Sequence, residues 1–419
     1  MAGSRRPSSS VTTMFRIAQR RLAAFAVVLA LALAAQTRSF TASARLEIPI
    51  EVSGNHVFVP AHLQGRALWF ILDTGAGTSL FDMGRARALG VTLGQPFAAR
   101  GAGPGTTAGA ALGEPVGATV GTGADAVSAP FVASLDLSSL ATHAGRDVDG
   151  ILGDDFIRRF VLEIDYAHLT LRLHDAGGFT YAGAGTTLPL TFNNGFPHVS
   201  ATLKVSDTES FTADCVLDVG SALQVIVTQP VVETRHLLDT MKVSAPVPVG
   251  RGAGGTSDGR VGRLSALVIC PLAVPNPIAI LAGANAGVLS TTTLFEVNVG
   301  TGLMRHFTMF FDYGRAQVVF EPNGAINDPF EYDMAGLVLT TEGAPYARKL
   351  VETVVPASPA AAAGLLAGDR LKAIDDRSVD TLTLDAVRTL FLHANRTYRI
   401  VVERDGRDVT VSLTTKRLA

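Results

Sequence analysis

The chain has 419 residues, 47% apolar and 17% charged, with a formal net charge of -2. That length holds two or three domains with sizeable cores, and the near-neutral balance without a basic run in the mature region speaks against a nucleic-acid partner. Its 42 glycines, few aromatics and frequent β-branched residues predict many short strands joined by glycine turns.

Residues 1–44 read as a signal peptide and leader. Arg16, Arg20 and Arg21 precede the apolar run 22–35, and Ala32-Leu33-Ala34 and Ala42-Ser43-Ala44 are small-x-small cleavage patterns. The run is shorter than the ~20 residues of a membrane span. The expectation is therefore an exported, periplasmic or secreted protein, with retention as an N-terminal anchor the alternative. Either Met1 or Met14 can serve as the start. Export permits a disulfide between Cys215 and Cys270, two buried free thiols being the other option. No C-x-x-C or zinc-spaced His/Cys cluster occurs, so no metal or other cofactor is expected.

From 46 to 322 the chain repeats itself. Leu46-Glu47-Ile48-Pro49-Ile50 opens the first copy and Thr187-Leu188-Pro189-Leu190 the second. Each copy runs into an apolar-Asp-x-Gly element: Ile71-Leu72-Asp73-Thr74-Gly75-Ala76, then Val216-Leu217-Asp218-Val219-Gly220-Ser221. Each next carries a glycine-rich turn, Arg100-Gly101-Ala102-Gly103 matching Arg251-Gly252-Ala253-Gly254. Each closes with a helical turn and a strand, ending in Asp165-Tyr166 and Asp312-Tyr313. A plain β repeat explains the strands, but it does not require an Asp at the same point of both copies.

An Asp at the end of a buried strand, followed by a turn glycine, brings a carboxylate and the backbone close together. Two such loops related by a local twofold set Asp73 beside Asp218. Neighbouring carboxylates cannot both ionise easily, so they share a proton, one acting as base on a water and the other as acid toward a carbonyl. The alternative is a pair of turn or cap residues. Asp154-Asp155, at a loop–helix junction, read as cap and first-turn charge, not as a metal pair. The run 250–255 spells G-x-G-x-x-G but lacks the strand–helix context of a dinucleotide site.

Leu72-Asp73-Thr74-Gly75-Ala76, with Asp149-Gly150-Ile151-Leu152-Gly153 later in the same half, resembles the pepsin and retropepsin-like aspartic peptidases, in their bacterial two-lobed form with a C-terminal PDZ domain. The resemblance implies a mainly β, two-lobed acid-protease-like fold formed by internal duplication, followed by a small α+β PDZ-like domain. Lobe one would span 45–183 and lobe two 184–325. It implies Asp73 and Asp218 as catalytic carboxylates of an aspartic-type endopeptidase, supported by Thr74, Gly75, Gly220 and Ser221. Val297-Asn298-Val299-Gly300 is the counterpart of the apolar-apolar-Gly segment, and Gly101, Ala102 and Gly103 are the candidate flap. One departure stands out: the family has a hydroxyl residue after each Asp, bracing the two loops, and here lobe two has Val219. Ser221 is a candidate substitute. A catalytically weak or inactive peptide-binding protein is the alternative reading.

Residues 334–415 resemble the PDZ domains of bacterial exported proteases. The carrying signature is Ser358-Pro359-Ala360 through Gly368-Asp369-Arg370-Leu371. Ser358 caps a short helix with Pro359 in its first turn, 384–392 is an amphipathic helix, and Asp405-Gly406 turns a hairpin. The resemblance implies Gly336, Leu337 and Val338 as a loop that captures a peptide C-terminus. The expected partners are thus peptide or protein substrates and a C-terminal peptide ligand, and a two-lobed single chain is expected to be a monomer.

Overall fold

The computed structural model describes residues 44–418 apart from 100, 102, 245–246, 253–254 and 270. The leader up to Ser43, Ala102 of the candidate flap and Cys270 of the disulfide pair lie outside the described residues. Ala44–Phe179 and Gly185–Ala419 form one compact unit.

The fold is mainly β, two lobes and a small C-terminal domain. In lobe one the strand Arg66–Leu72 alternates until its last three residues, Phe70, Ile71 and Leu72, which are all buried. It pairs antiparallel with His56–Leu63 and parallel with Gly150–Leu152, setting Leu72 opposite Leu152. The short strand Leu80–Asp82, just past the Asp73 loop, returns antiparallel to Gly150–Leu152. Lobe two repeats this topology. Ser210–Asp218 pairs antiparallel with Phe196–Lys204 and parallel with Val297–Gly300, setting Asp218 opposite Gly300. Val225–Val227 then returns antiparallel to Val297–Gly300. Both Asp residues therefore leave the C-terminal end of a buried strand held between two neighbours, which fixes the loop that follows.

A third sheet joins the lobes. Its order is Leu46–Pro49, Thr170–Asp175, Phe160–Asp165, Phe307–Asp312, Gln317–Pro322, Thr186–Pro189, three strands from each copy. The two central strands pair antiparallel, with Leu162 opposite Phe311 and Ile164 opposite Met309. Equivalent strands meeting antiparallel are what a local twofold between the copies produces. The two repeat openings form its outer edges. Every residue of the central strands is buried, and the charges among them are paired: Glu163 accepts from Arg172 Nη1 at 2.6 Å, and Asp312 from Arg315 Nη1 at 2.8 Å.

Both glycine-rich turns are hairpin tips. Leu93–Ala99 pairs with Thr107–Val120 in lobe one, and Val247–Gly252 with Gly255–Arg263 in lobe two. A strand, not a helix, follows the G-x-G-x-x-G run, so the dinucleotide context is absent.

The C-terminal domain has its own core, including Leu337, Leu371, Val387, Phe391, Tyr398 and Ile400. Ser358 Oγ accepts from Ala361 N at 3.2 Å and caps the helix Pro359–Ala362, and Gly364 at φ 81° ends that turn. Thr397–Arg404 and Arg407–Thr414 form a hairpin through Asp405 and Gly406, both at positive φ. The strand Leu337–Thr341 and the helix Leu384–Leu390 face each other across a groove.

Candidate active site

Asp73 is held from three sides. Its N–H donates to Leu152 O at 3.0 Å, continuing the parallel ladder, and its Oδ1 accepts from Gly75 N at 2.8 Å. Its carboxyl also shares a hydrogen bond with Asp218. Asp218 accepts from Ser221 N at 3.1 Å on Oδ1 and from Asn298 Nδ2 at 2.6 Å on Oδ2.

The glycines explain why the carboxylates can approach. A Cβ on Gly75 would lie 2.7 Å from Asp218 Cγ, and one on Gly220 would overlap the Asp73 carboxyl. Each loop thus offers bare backbone to the opposite carboxylate. Behind the dyad the second layer also repeats: Asp154 N donates to Ala76 O at 2.9 Å, and Thr301 N to Ser221 O at 2.8 Å.

Val219 does not leave the loops unbraced. The buried Thr74 hydroxyl crosses between lobes, donating to Leu217 O at 2.7 Å and accepting from Val219 N at 2.8 Å. Its partners are main-chain groups, so no hydroxyl on Val219 is required for this half. Thr301 Oγ1 donates to Val219 O at 2.8 Å and secures the loop from its own lobe. Ser221 contributes its amide to Asp218. In lobe one the support runs through acid: Asp155 Oδ1 accepts from Ser79 N and Ser79 Oγ at 2.8 and 2.6 Å, and Ser79 Oγ accepts from Gly153 N at 3.0 Å. Gly153, not Asp154, is the N-cap of the helix Asp154–Ile157, where both acids stand in the first turn. Asp154 pairs with Arg158.

Electrostatics separate the two carboxyls. Burial, then the neighbouring Asp218 charge, hold the Asp73 carboxyl well above its ordinary value, and its hydrogen bond to Asp218 adds to the rise. Burial also raises Asp218, but Asn298, Asp73 and the amides of Gly220 and Ser221 all favour its ionised form. The Asn298 donor therefore favours charge on Asp218, while burial and the neighbouring carboxylate disfavour a second ionisation at Asp73. Asn298 and Thr301 were not singled out from the sequence. The signal was a polar side chain inside Val297-Asn298-Val299-Gly300, where the lobe-one counterpart has Ile151.

The dyad opens into a cavity of about 1700 Å³. Across it, Gly103 N donates to Ala286 O at 3.3 Å and Val288 N to Gly101 O at 3.2 Å, so the lobe-one hairpin tip rests on lobe two. Gly101 lines the cavity. The same cavity is lined by Leu337, Val338, Leu339 and Arg388 of the C-terminal groove. Gly336, the remaining residue expected in the carboxylate loop, has φ 79°. Cys215, in the strand leading to Asp218, is buried and has no disulfide partner among the described residues. Among the described residues no group of three or more His, Cys, Asp or Glu is placed to hold a metal ion.

A family profile described as PDZ domain matches residues 350–404, so the C-terminal domain is a PDZ domain. No curated protein matches the chain in sequence. Among solved structures, the chain is similar to an aspartic proteinase from Irpex lacteus, at 10% identity and a TM-score of 0.43, over 67% of this chain and 98% of that one. A likeness of that size leaves the site to be read from its own geometry.

Proposed function

We propose that this chain is an exported aspartic-type endopeptidase whose PDZ domain recognises peptide or protein partners. The observation that carries the reading is the pair of buried carboxyls Asp73 and Asp218, hydrogen-bonded to each other and each backed by the glycine of the opposite loop. In this mechanism the Asp218 carboxylate takes a proton from a water. The hydroxide attacks the scissile carbonyl carbon while Asp73 gives its proton to the carbonyl oxygen. The tetrahedral diol then collapses. Asp218 delivers its proton to the leaving nitrogen, the C–N bond breaks, and Asp73 recovers a proton from a hydroxyl. The hairpin tip at Gly101 and Gly103 acts as the lid, and it must lift from Ala286 and Val288 to admit an extended chain.

The test is cleavage of an unfolded protein mixture from pH 3 to 7 by the mature protein, beside Asp73→Asn and Asp218→Asn. Cleavage by the wild type, lost in both variants, is the expected result. A folded wild type that cuts nothing at any pH would replace this reading with that of a peptide-binding protein acting through its PDZ domain.

A further inference from the structure

The groove of a PDZ domain offers two kinds of anchor to an added peptide: a cluster of backbone amides for the terminal carboxylate, and an open strand edge for its backbone. Here both carry internal partners. Asp333 Oδ2 accepts from Gly336 N at 2.5 Å and from Leu337 N at 3.1 Å, and the amide of Ala335 also donates to this carboxylate. On the strand Leu337–Thr341, Leu339 O accepts from Arg388 Nη2 at 2.8 Å, the guanidinium reaching across from the helix Leu384–Leu390. The amides that converge on an anion are thus those of Ala335, Gly336 and Leu337. Val338, expected in the loop from the sequence, is not among the donors to Asp333.

Lobe one lies over the same groove. Gly54 N donates to Asp385 Oδ1 at 3.0 Å, Thr341 Oγ1 to Thr142 O at 2.7 Å, and His143 Nε2 meets Glu352 at 2.7 Å. Gly145 stands so close to the helix that a Cβ on it would lie 2.6 Å from Leu384 Cβ. The groove faces inward, into the cavity that holds Asp73 and Asp218.

We propose that Asp333 is the resident ligand of the PDZ amides, so that a free peptide C-terminus binds only by displacing it, and that the displaced state places the peptide in the catalytic cavity. A peptide carboxylate and the Asp333 carboxylate are chemically alike and compete for the same donors. Their acidities differ. Burial raises Asp333 to about 6, against the pull of the three amides and Arg388. A peptide terminus at the surface titrates at ~3.5. Between these values Asp333 is protonated and weakened as an acceptor while the incoming terminus keeps its charge. Arg388, Tyr332, Asp385, Glu352 and His56 line the same region. His56 is lowered to about 4, by burial and then by Arg388, and so stays neutral from pH 7.5 down to pH 5.

The displacement claim stands apart from the peptidase reading and is tested by binding alone. The probe is a peptide pool with four random C-terminal positions, as free acids and as amides, captured by the full chain carrying Asp218→Asn to prevent cutting. Adding Asp333→Ala is expected to raise retention of free acids over amides at least ~tenfold at pH 7.5. Asp333→Asn, which keeps one acceptor for the loop, should give a smaller rise and guards against misfolding of the alanine variant. With Asp333 intact, retention of free acids should rise as pH falls from 7.5 to 5. Equal retention of acids and amides by both Asp333 variants would overturn the proposal. So would retention by the intact chain that matches theirs at pH 7.5.

Discussion

Asn298→Ala isolates the side-chain donor that favours charge on Asp218. Asn298 Nδ2 donates to Asp218 Oδ2 at 2.6 Å, and the residue is only 5% exposed, so no bulk water competes. A hydrogen bond to a charged group contributes ~1.5–3 kcal/mol, and one pKa unit corresponds to ~1.36 kcal/mol. Losing the bond should raise the Asp218 pKa by ~1–2 units. Asp73 owes its rise to burial and to the Asp218 charge, and the substitution removes neither. The acid limb of a pH profile of kcat/KM therefore moves up by ~1–2 units while the alkaline limb moves much less. The active window narrows and its maximum falls, the two limbs reporting the pair as a whole. The fold should tolerate the change, because Asn298 Oδ1 has no hydrogen-bond partner among the described residues. An acid limb that stays put or moves down in a variant of unchanged Tm would refute the assignment of the base to Asp218.

Thr74→Val removes the hydroxyl shared by Leu217 O and Val219 N. Two buried main-chain groups are left unmatched at ~1–3 kcal/mol each, and a denaturant titration that finds under ~0.5 kcal/mol would contradict the bracing role. Gly220→Ala puts a methyl into the Asp73 carboxyl and Gly75→Ala puts one against Asp218, so both should abolish cleavage, whereas Gly177→Ala, with open space around it, should not. Both dyad carboxyls are raised above 3.8 by folding. Their contribution to stability is thus full below that value and is lost as pH rises through the folded pKa values. Asp73→Asn removes one of these ionisations, so its Tm should exceed that of the wild type at pH 7, with the gap closing toward pH 4. A gap that widens toward acid would reverse the sign of the argument.

Local chemistry made much of this architecture visible in the sequence. Ser358-Pro359 and Gly364 mark both ends of a helix through cap and turn geometry alone. Asp405-Gly406 demands a hairpin because both residues take positive φ. The repeat aligned Asp73 with Asp218 and both glycine-rich turns with hairpin tips. What stayed hidden depends on which distant atoms meet. The Thr74 hydroxyl finds carbonyl and amide partners 143 and 145 residues away, so looking for a second hydroxyl at Val219 posed the wrong requirement. Asn298 reads as a flaw in an apolar strand until the parallel pairing with Ser210–Asp218 carries it beside the dyad. Asp333 carried no signal in the sequence, because its contacts arise only when three amides fold back around its carboxylate.

The internal repeat accounts for the site's symmetry, and the positions at which the two copies differ account for the unequal surroundings of the two carboxyls. A strict twofold would give Asp73 and Asp218 identical surroundings and no reason to place the proton on either. Three matched positions break that equality. Thr74 faces Val219, so the crossing hydroxyl holds the lobe-two main chain and Val219 returns no hydroxyl to lobe one. Ile151 matches Asn298, so only lobe two offers a side-chain donor to its carboxylate. Asp154 matches Thr301, so the lobe-one loop is backed by acids tied to Ser79 and Arg158, and the lobe-two loop by a hydroxyl on Val219 O. The second of these differences acts directly on the charge, and it lowers only Asp218. Returning Asn298 to the apolar residue of the other lobe should therefore move the pair toward equivalence. Val219 opposite Thr74 is a difference in bracing, and its side chain carries no group that acts on the charge of either carboxyl.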